Sequence, residues 1–143
     1  MMRFFLFTFI LCTSFAANPS VAHSIVFETY ASECVRECQH ILTLDKLRQE
    51  MCFKSWDQKK QPRCIEHKWK NKNDFQILIN SVPESFFSLP ETVGSPDAFD
   101  QGGIKLFILK DGKNNKSDID PSEVPKFMNT FIKKLRDLAS EFN

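Results

Sequence analysis

The chain has 143 residues, of which 42% are hydrophobic and 26% charged, and its formal net charge is +1. This size and composition predict one globular domain with its own core and exclude a disordered or fibrous chain. The near-neutral charge also disfavours a dedicated nucleic-acid-binding protein, which normally carries a strongly basic balance.

The first 22 residues have the pattern of a secretory signal peptide. Arg3 precedes an apolar run from Phe4 to Cys12, and small residues follow at cleavage spacing and end at Ala22. The run is too short for a spanning helix, which needs about 20 apolar residues. We therefore expect a secreted or periplasmic protein without a membrane span after cleavage, and a mature domain over residues 23–143.

The first half of the mature chain predicts a strand, a helix and an irregular connection. Ser24–Tyr30 is rich in β-branched and aromatic residues, as strands are. Between Ser32 and Trp56, apolar residues recur at steps of three and four, which predicts an amphipathic helix, kinked or split at Thr43. Residues 57–74 are polar and lysine-rich, and they indicate an insertion.

The second half predicts two strands and a final helix. The strands are expected over residues 75–80 and 104–109, with one helical turn at 84–89 between them, and a turn at 110–113 closes the second strand. The helix is expected to be capped by Ser122, with Pro125 in its first turn and apolar residues on one face. The order strand, helix, strand implies a right-handed crossover and the α/β class.

Four cysteines remain after removal of Cys12 with the signal peptide: Cys34, Cys38, Cys52 and Cys64. An even number in an exported protein predicts disulfides, and four cysteines allow three pairings. On a helix, a direct Cys34–Cys38 bridge would distort the first turn. Folding the chain back about Thr43 brings Cys34 opposite Cys52 and leaves Cys38 for Cys64, whereas a Cys52–Cys64 bridge would close a short loop. The sequence does not choose between these pairings.

Two segments resemble the thioredoxin-like superfamily. The segment Tyr30–Gln39, with residues 44–50 after it, is similar to the active-site strand and helix of the exported TlpA-type branch, and Gly103–Lys113 is similar to a later strand and its Asp-Gly turn. The resemblance implies one thioredoxin-like domain, with a central sheet of three to four strands flanked by helices.

The same resemblance implies thiol–disulfide exchange on another exported protein, with no cofactor. Cys34 would be the attacking thiolate and Cys38 the resolving thiol. The Cys-x-x-x-Cys spacing also resembles the Sco/SenC copper chaperones, which implies a copper alternative with Cys34 and Cys38 as ligands. Gln101 stands at the position of that family's histidine ligand.

The main alternative to thiol–disulfide exchange, ahead of the copper hypothesis, needs no catalysis. A secreted interaction or effector protein would use its cysteines as structural disulfides, with Cys52 and Cys64 as the clearest candidates. Its partner would be an exported target protein rather than a nucleic acid. The sequence also contains the glycosylation sequon Asn115-Lys116-Ser117.

Overall fold

The structure is a computed structural model that describes residues 22–31, 34, 36–57 and 59–142. Apart from Ala22, the predicted signal peptide lies outside the described residues. The described chain forms one seven-stranded sheet with two α-helices and two 3₁₀ helices.

The sheet is antiparallel except at one edge, where a two-residue strand pairs in parallel with its neighbour. Across the sheet the strand order is β4-β3-β2-β1-β6-β7-β5, so the first strand of the chain lies in the middle. The strands are β1 (Ser24–Tyr30), β2 (Gln39–Leu44), β3 (Gln49–Lys54), β4 (Arg63–His67), β5 (Thr92–Val93), β6 (Gly103–Lys110) and β7 (Lys113–Ile119).

The helices pack on one face of this sheet and bury the core there. They are α1 (Asp74–Asn80) and α2 (Asn129–Ser140), and the 3₁₀ helices are Glu84–Ser88 and Lys126–Met128. Buried side chains of both α-helices and of the five longest strands belong to one hydrophobic cluster. Within the described residues, neither α-helix is long and apolar enough to cross a membrane.

Alternation along β1 divides the two faces of the sheet. Ile25 and Phe27 are buried under the helices, whereas Val26 and Glu28 point to the opposite side and are half-buried. The neighbouring strands have the same two faces, because the buried Ile25 pairs with the buried Leu44 of β2 on one side and with the buried Ile108 of β6 on the other. We call the side that carries Val26 and Glu28 the open face.

The predicted α/β thioredoxin-like class, with three to four strands flanked by helices, is wrong. The first two strands pair antiparallel and are consecutive in the chain, so no crossover helix separates them. In the described residues, β1 is flanked by the antiparallel strands β2, β3 and β4 on one side and by the β6–β7 hairpin on the other, and both α-helices pack on the same face.

The predicted helix from Ser32 to Trp56 is also wrong, because most of this segment forms the β2–β3 hairpin. The apolar residues Leu44, Leu47 and Met51 recur at helical spacing, but the turn lies between them and leaves Leu47 79% exposed. The carboxylate of Asp45 accepts hydrogen bonds from the backbone N–H groups of Leu47, at 2.7 Å, and Arg48, at 3.1 Å. Such a local Asp turn competes with helix formation and reverses the chain.

Other predictions have mixed outcomes. β1 and β6 are confirmed, as is the turn after β6, where Asp111 and Gly112 both have positive φ and join β6 to β7. The final helix is confirmed but begins later, and Ser122 donates to Asp120 instead of capping it. The predicted insertion at 57–74 contains β4, a strand that the sequence analysis missed.

The predicted strand over residues 75–80 is a helix. In a strand, Ile77 and Ile79 would lie on the same face, since side chains alternate. In α1 they lie about 200° apart, and accordingly Ile79 is fully buried whereas Ile77 is 64% exposed.

This difference makes a matched pair of substitutions. We expect Ile79→Ala to destabilise the protein by about 2–5 kcal/mol, because it leaves a cavity in the core. Ile77→Ala should change the free energy of unfolding by less than about 0.5 kcal/mol. Urea unfolding followed by circular dichroism measures both, and equal losses at the two positions would contradict the helix.

Candidate functional site

Three loops meet at one end of the sheet, which we call the loop end. They are residues 31–38 between β1 and β2, residues 55–62 between β3 and β4, and residues 94–102 before β6. The register places them together, because Tyr30 pairs with Gln39 on one side and with Gly103 on the other. Gln39 in turn pairs with Lys54, where the second loop begins.

Both disulfides lie at this end. Cys34 and Cys38 are bridged within the first loop, with their Cα atoms 5.4 Å apart. Cys52 and Cys64 are bridged across directly paired positions of β3 and β4. This disulfide therefore links the two strands that lead into and out of the second loop. Each disulfide therefore restricts one of the loops.

Hydrogen bonds join the first loop to the second loop and to the strand ends that flank the second loop. The indole N–H of Trp56 donates to the carbonyl oxygen of Ala31 at 2.9 Å. The backbone N–H of Cys38 donates to the carbonyl oxygen of Lys54 at 2.7 Å. The Arg63 guanidinium donates two hydrogen bonds to the Glu37 carboxylate, at 3.1 and 3.2 Å, and they lower the pKa of Glu37. The two loops thus form one cross-linked unit.

The third loop is held by hydrogen bonds between Asp97 and Gly102. The backbone N–H of Asp97 donates to the carbonyl oxygen of Gly102 at 2.9 Å, and the backbone N–H of Gly102 donates to the Asp97 carboxylate at 3.1 Å. Gly102 has a φ of 76°, and a Cβ at this position would collide with the carbonyl oxygen of Tyr30. Only glycine fits there, and the close approach fixes the loop against β1.

The amide of Gln101 fastens the middle of this loop. It accepts from the backbone N–H of Phe99 at 2.8 Å and donates to the Ser95 carbonyl at 3.1 Å and to Asp120 at 3.4 Å. The hydroxyl and backbone N–H of Ser122 also donate to Asp120, and these hydrogen bonds lower the pKa of its carboxyl group. Gln101 is therefore a structural residue of the loop.

Two large aromatic side chains project from these braced loops. Phe99 is 88% exposed, and Trp56 is 45% exposed although its indole N–H is bonded to Ala31. Large apolar side chains on loops of defined conformation are the groups that most often anchor protein–protein contacts. The loop end therefore presents two large apolar side chains to solvent.

The residues predicted to exchange disulfides are both oxidised. Cys34 is half-buried and Cys38 is buried, and they lie in a connection between strands rather than at the start of a helix. Because no helix begins at Cys34 among the described residues, no helix dipole stabilises a Cys34 thiolate. Thiol–disulfide exchange by this pair stays a prediction from the sequence.

The copper alternative needs a third ligand beside the two cysteine sulfurs, for which the imidazole of a histidine would be suited. Among the described residues, no group of three or more His, Cys, Asp or Glu side chains is arranged to hold a metal ion. His40 packs edge-on against Phe53 at 5.0 Å, and His67 stacks on Phe142 at 4.3 Å. With Cys34 and Cys38 in a disulfide, the two sulfurs of the copper alternative are not thiolates in this structure.

The pairing deduced from a helical fold-back, Cys34 with Cys52 and Cys38 with Cys64, is wrong. The chain does reverse after β2, but about the turn at Asp45 rather than at Thr43, which places Ile41 opposite Cys52. Cys52 then faces Cys64 on the next strand.

The sequon at Asn115 is occupied by structural contacts. The Asn115 amide donates to the carbonyl oxygens of Phe86 at 2.7 Å and Leu89 at 3.1 Å. Ser117 is fully buried and donates to the Pro90 carbonyl. In the folded protein these side chains secure the 3₁₀ helix and the residues after it to β7.

Comparison with protein-family models and with curated proteins found no match to this chain.

Sequence reasoning missed the two exposed aromatic side chains of the loop end. Trp56 was assigned to the apolar face of a helix that does not exist. Phe99 lies between the predicted helical turn at 84–89 and the predicted strand at 104–109, where no element was predicted. The available signal for Phe99 was its isolation, since it is a lone large apolar residue among Gly, Pro and Asp residues.

The two disulfides are expected to differ in their contribution to stability. The Cys52–Cys64 bridge spans 12 residues and the Cys34–Cys38 bridge spans four. The chain-entropy relation gives about 3 kcal/mol for the first and about 2 kcal/mol for the second. Replacing each pair by serine and measuring chemical unfolding tests this order, and a larger loss from the Cys34 and Cys38 pair would contradict it.

Proposed function

We propose that this protein is a secreted, non-catalytic interaction protein that binds another exported protein through its loop end. The observation that carries the proposal is the side chain of Phe99, which is 88% exposed on a loop fixed by hydrogen bonds. An exposed phenyl ring adds nothing to the core, and keeping its apolar surface in water is unfavourable in free energy. A binding role therefore explains the exposure better than a folding role.

The bracing of the loops favours binding. A loop that already has its bound conformation loses little conformational entropy when a partner binds. Here Phe99 lies on a loop anchored to β1, and Trp56 lies on a loop closed by the Cys52–Cys64 disulfide. In this proposal Phe99 enters an apolar pocket of the partner, and Trp56 provides a second contact beside it.

The disulfides are structural in this proposal. Cys34 and Cys38 keep the first loop in the shape that accepts the Trp56 indole, and they undergo no reaction. Export of the protein, expected from its N-terminal segment, would allow both bridges to form and persist.

The test uses a photo-crosslinking side chain, benzoylphenylalanine, in place of Phe99 or, as a control, in place of Leu47. Both positions are strongly exposed, but Leu47 lies in the β2–β3 turn at the opposite end of the sheet. Each variant is irradiated in the presence of the proteins of the compartment into which the chain is exported. We expect one crosslinked adduct from position 99 and none from position 47.

The isolated partner then provides the quantitative test. Phe99→Ala should weaken its affinity by about 30-fold or more, the effect of losing an interaction hot spot, while Leu47→Ala leaves it unchanged. A partner that is held instead by a mixed disulfide, trapped by Cys38→Ser and released by reductant, would refute the non-catalytic proposal.

A further inference from the structure

We propose that a cavity between the two α-helices binds a small uncharged molecule that combines an apolar body with a primary amide group. The cavity is lined by Gln49, the first residue of β3, which pairs with Leu44 beside the β2–β3 turn. It therefore lies at the end of the sheet opposite the loop end. The proposal does not depend on the function proposed for the loop end.

The walls of the cavity are apolar. Its volume is about 360 Å³, and its apolar lining residues are Trp69, Ile77, Leu78 and Leu138. Small-molecule sites usually have volumes of about 300–1,000 Å³ and walls of this kind. The Trp69 ring is already positioned, because its indole N–H donates to the carbonyl oxygen of Asp45 at 2.7 Å. Contact with a ligand would cover the exposed surface of Ile77, which the core does not use.

The polar group that distinguishes this cavity is the side chain of Gln49. It is only 6% exposed and lies on the helix side of β3 together with Met51 and Phe53. Within the described chain its amide has no hydrogen-bond partner, but the amide is not sealed in the core and reaches solvent through the cavity. A buried amide without a protein partner is unfavourable. Only water or a ligand in the cavity can satisfy it.

The hydrogen-bonding capacity of Gln49 selects the ligand. Its carbonyl oxygen accepts hydrogen bonds, and its NH₂ group donates them. The primary amide of a ligand presents the same two groups and can form two reciprocal hydrogen bonds. A carboxylate only accepts and would leave the Gln49 oxygen unpaired, whereas an ammonium group only donates and would leave the NH₂ group unpaired.

The charged side chains around the cavity do not favour a charged ligand. Two of them are cationic and three are anionic: Lys70, Lys134, Asp74, Asp137 and Glu141. The excess of negative charge disfavours a carboxylate. The three acids already have partners, since Glu141 pairs with Lys70 at 3.2 Å, Asp137 pairs with Lys133 at 2.7 Å and Asp74 accepts from the Asn71 amide at 3.2 Å. A cationic ligand would therefore have to displace an existing partner.

Titration with para-ethylbenzamide tests the site by two-dimensional nitrogen–proton NMR of the disulfide-intact mature protein. The two tryptophans give an internal control, because Trp69 lines the cavity and Trp56 lies at the loop end. We expect the Gln49 NH₂ and Trp69 indole signals to shift and saturate, while the Trp56 indole signal stays in place. The dissociation constant expected for a molecule of this size is about 1 mM.

The isosteric carboxylate tests the choice of an uncharged ligand. Para-ethylbenzoate has the same ring and a planar head group of the same size, but it offers no donor. We expect it to bind at least about tenfold more weakly than the amide, because one hydrogen bond is lost and a charge is partly buried. Equal or tighter binding of the carboxylate would overturn the proposal.

Two variants test the residues. Gln49→Leu should weaken binding of the amide about tenfold or more, because it removes both hydrogen bonds. The same change at an exposed position of α1, Gln76→Leu, should leave binding unaltered. Ile77→Ala, which is expected to leave the fold unchanged, should weaken binding about threefold through the lost apolar contact.

Circular dichroism confirms that each variant is folded. Gln49→Leu is expected to unfold no earlier than the unmodified protein, since it replaces a buried amide that lacks a protein partner. Absence of binding at the solubility limit of the amide, or undiminished binding by Gln49→Leu, would overturn the proposal. Neither result would bear on the contacts proposed for Phe99.

Discussion

The alternation of side chains along β1 is the constraint on which the rest of this structure depends. Ile25 and Phe27 face the helices, while Val26 and Glu28 face the other side. β6 pairs with β1 over its whole length, and β2 pairs with it over Ile25–Tyr30. A shift of one residue would exchange the two sets and place Glu28 in the core. The register of this central strand consequently determines which face the helices cover and which residues reach the loop end.

The two disulfides and the hydrophobic core support different parts of the molecule. The core cluster joins the helices to the sheet without any cysteine, and Cys38 lies outside that cluster although it is buried. Both bridges are placed where the chain leaves the sheet, beside loops that bury little apolar surface. Covalent restriction is most useful there, because packing alone does not fix the conformation of such loops.

The sequence predicted the elements whose pattern has one structural explanation. β1 and β6 are β-branched runs bounded by polar residues, and the last helix has an apolar face longer than any strand allows. The segment from Ser32 to Trp56 failed because a hairpin with a four-residue turn gives the same spacing of apolar residues as a helix. Ile77 and Ile79 were assigned to a strand because a short apolar run fits both structures, and only tertiary packing distinguishes them.

The candidate site was predictable only in part. Cysteine spacing indicated disulfides but not their pairing, since pairing depends on the strand register, which the helical interpretation had excluded. The exposure of Phe99 depends on contacts of Gln101 and Gly102 with residues far along the chain. Such contacts leave no local signal in the sequence.

Disulfide mapping by mass spectrometry tests the register most directly, because trypsin cleaves after Arg36, Lys54 and Arg63 and so separates every cysteine from its partner. In the unreduced digest, the account predicts that the peptide ending at Arg36 is linked to the peptide that contains Cys38. It also predicts a link between the peptides that contain Cys52 and Cys64. Links from Cys34 to Cys52 and from Cys38 to Cys64 would contradict the hairpin and with it the division of the sheet into a covered face and an open face.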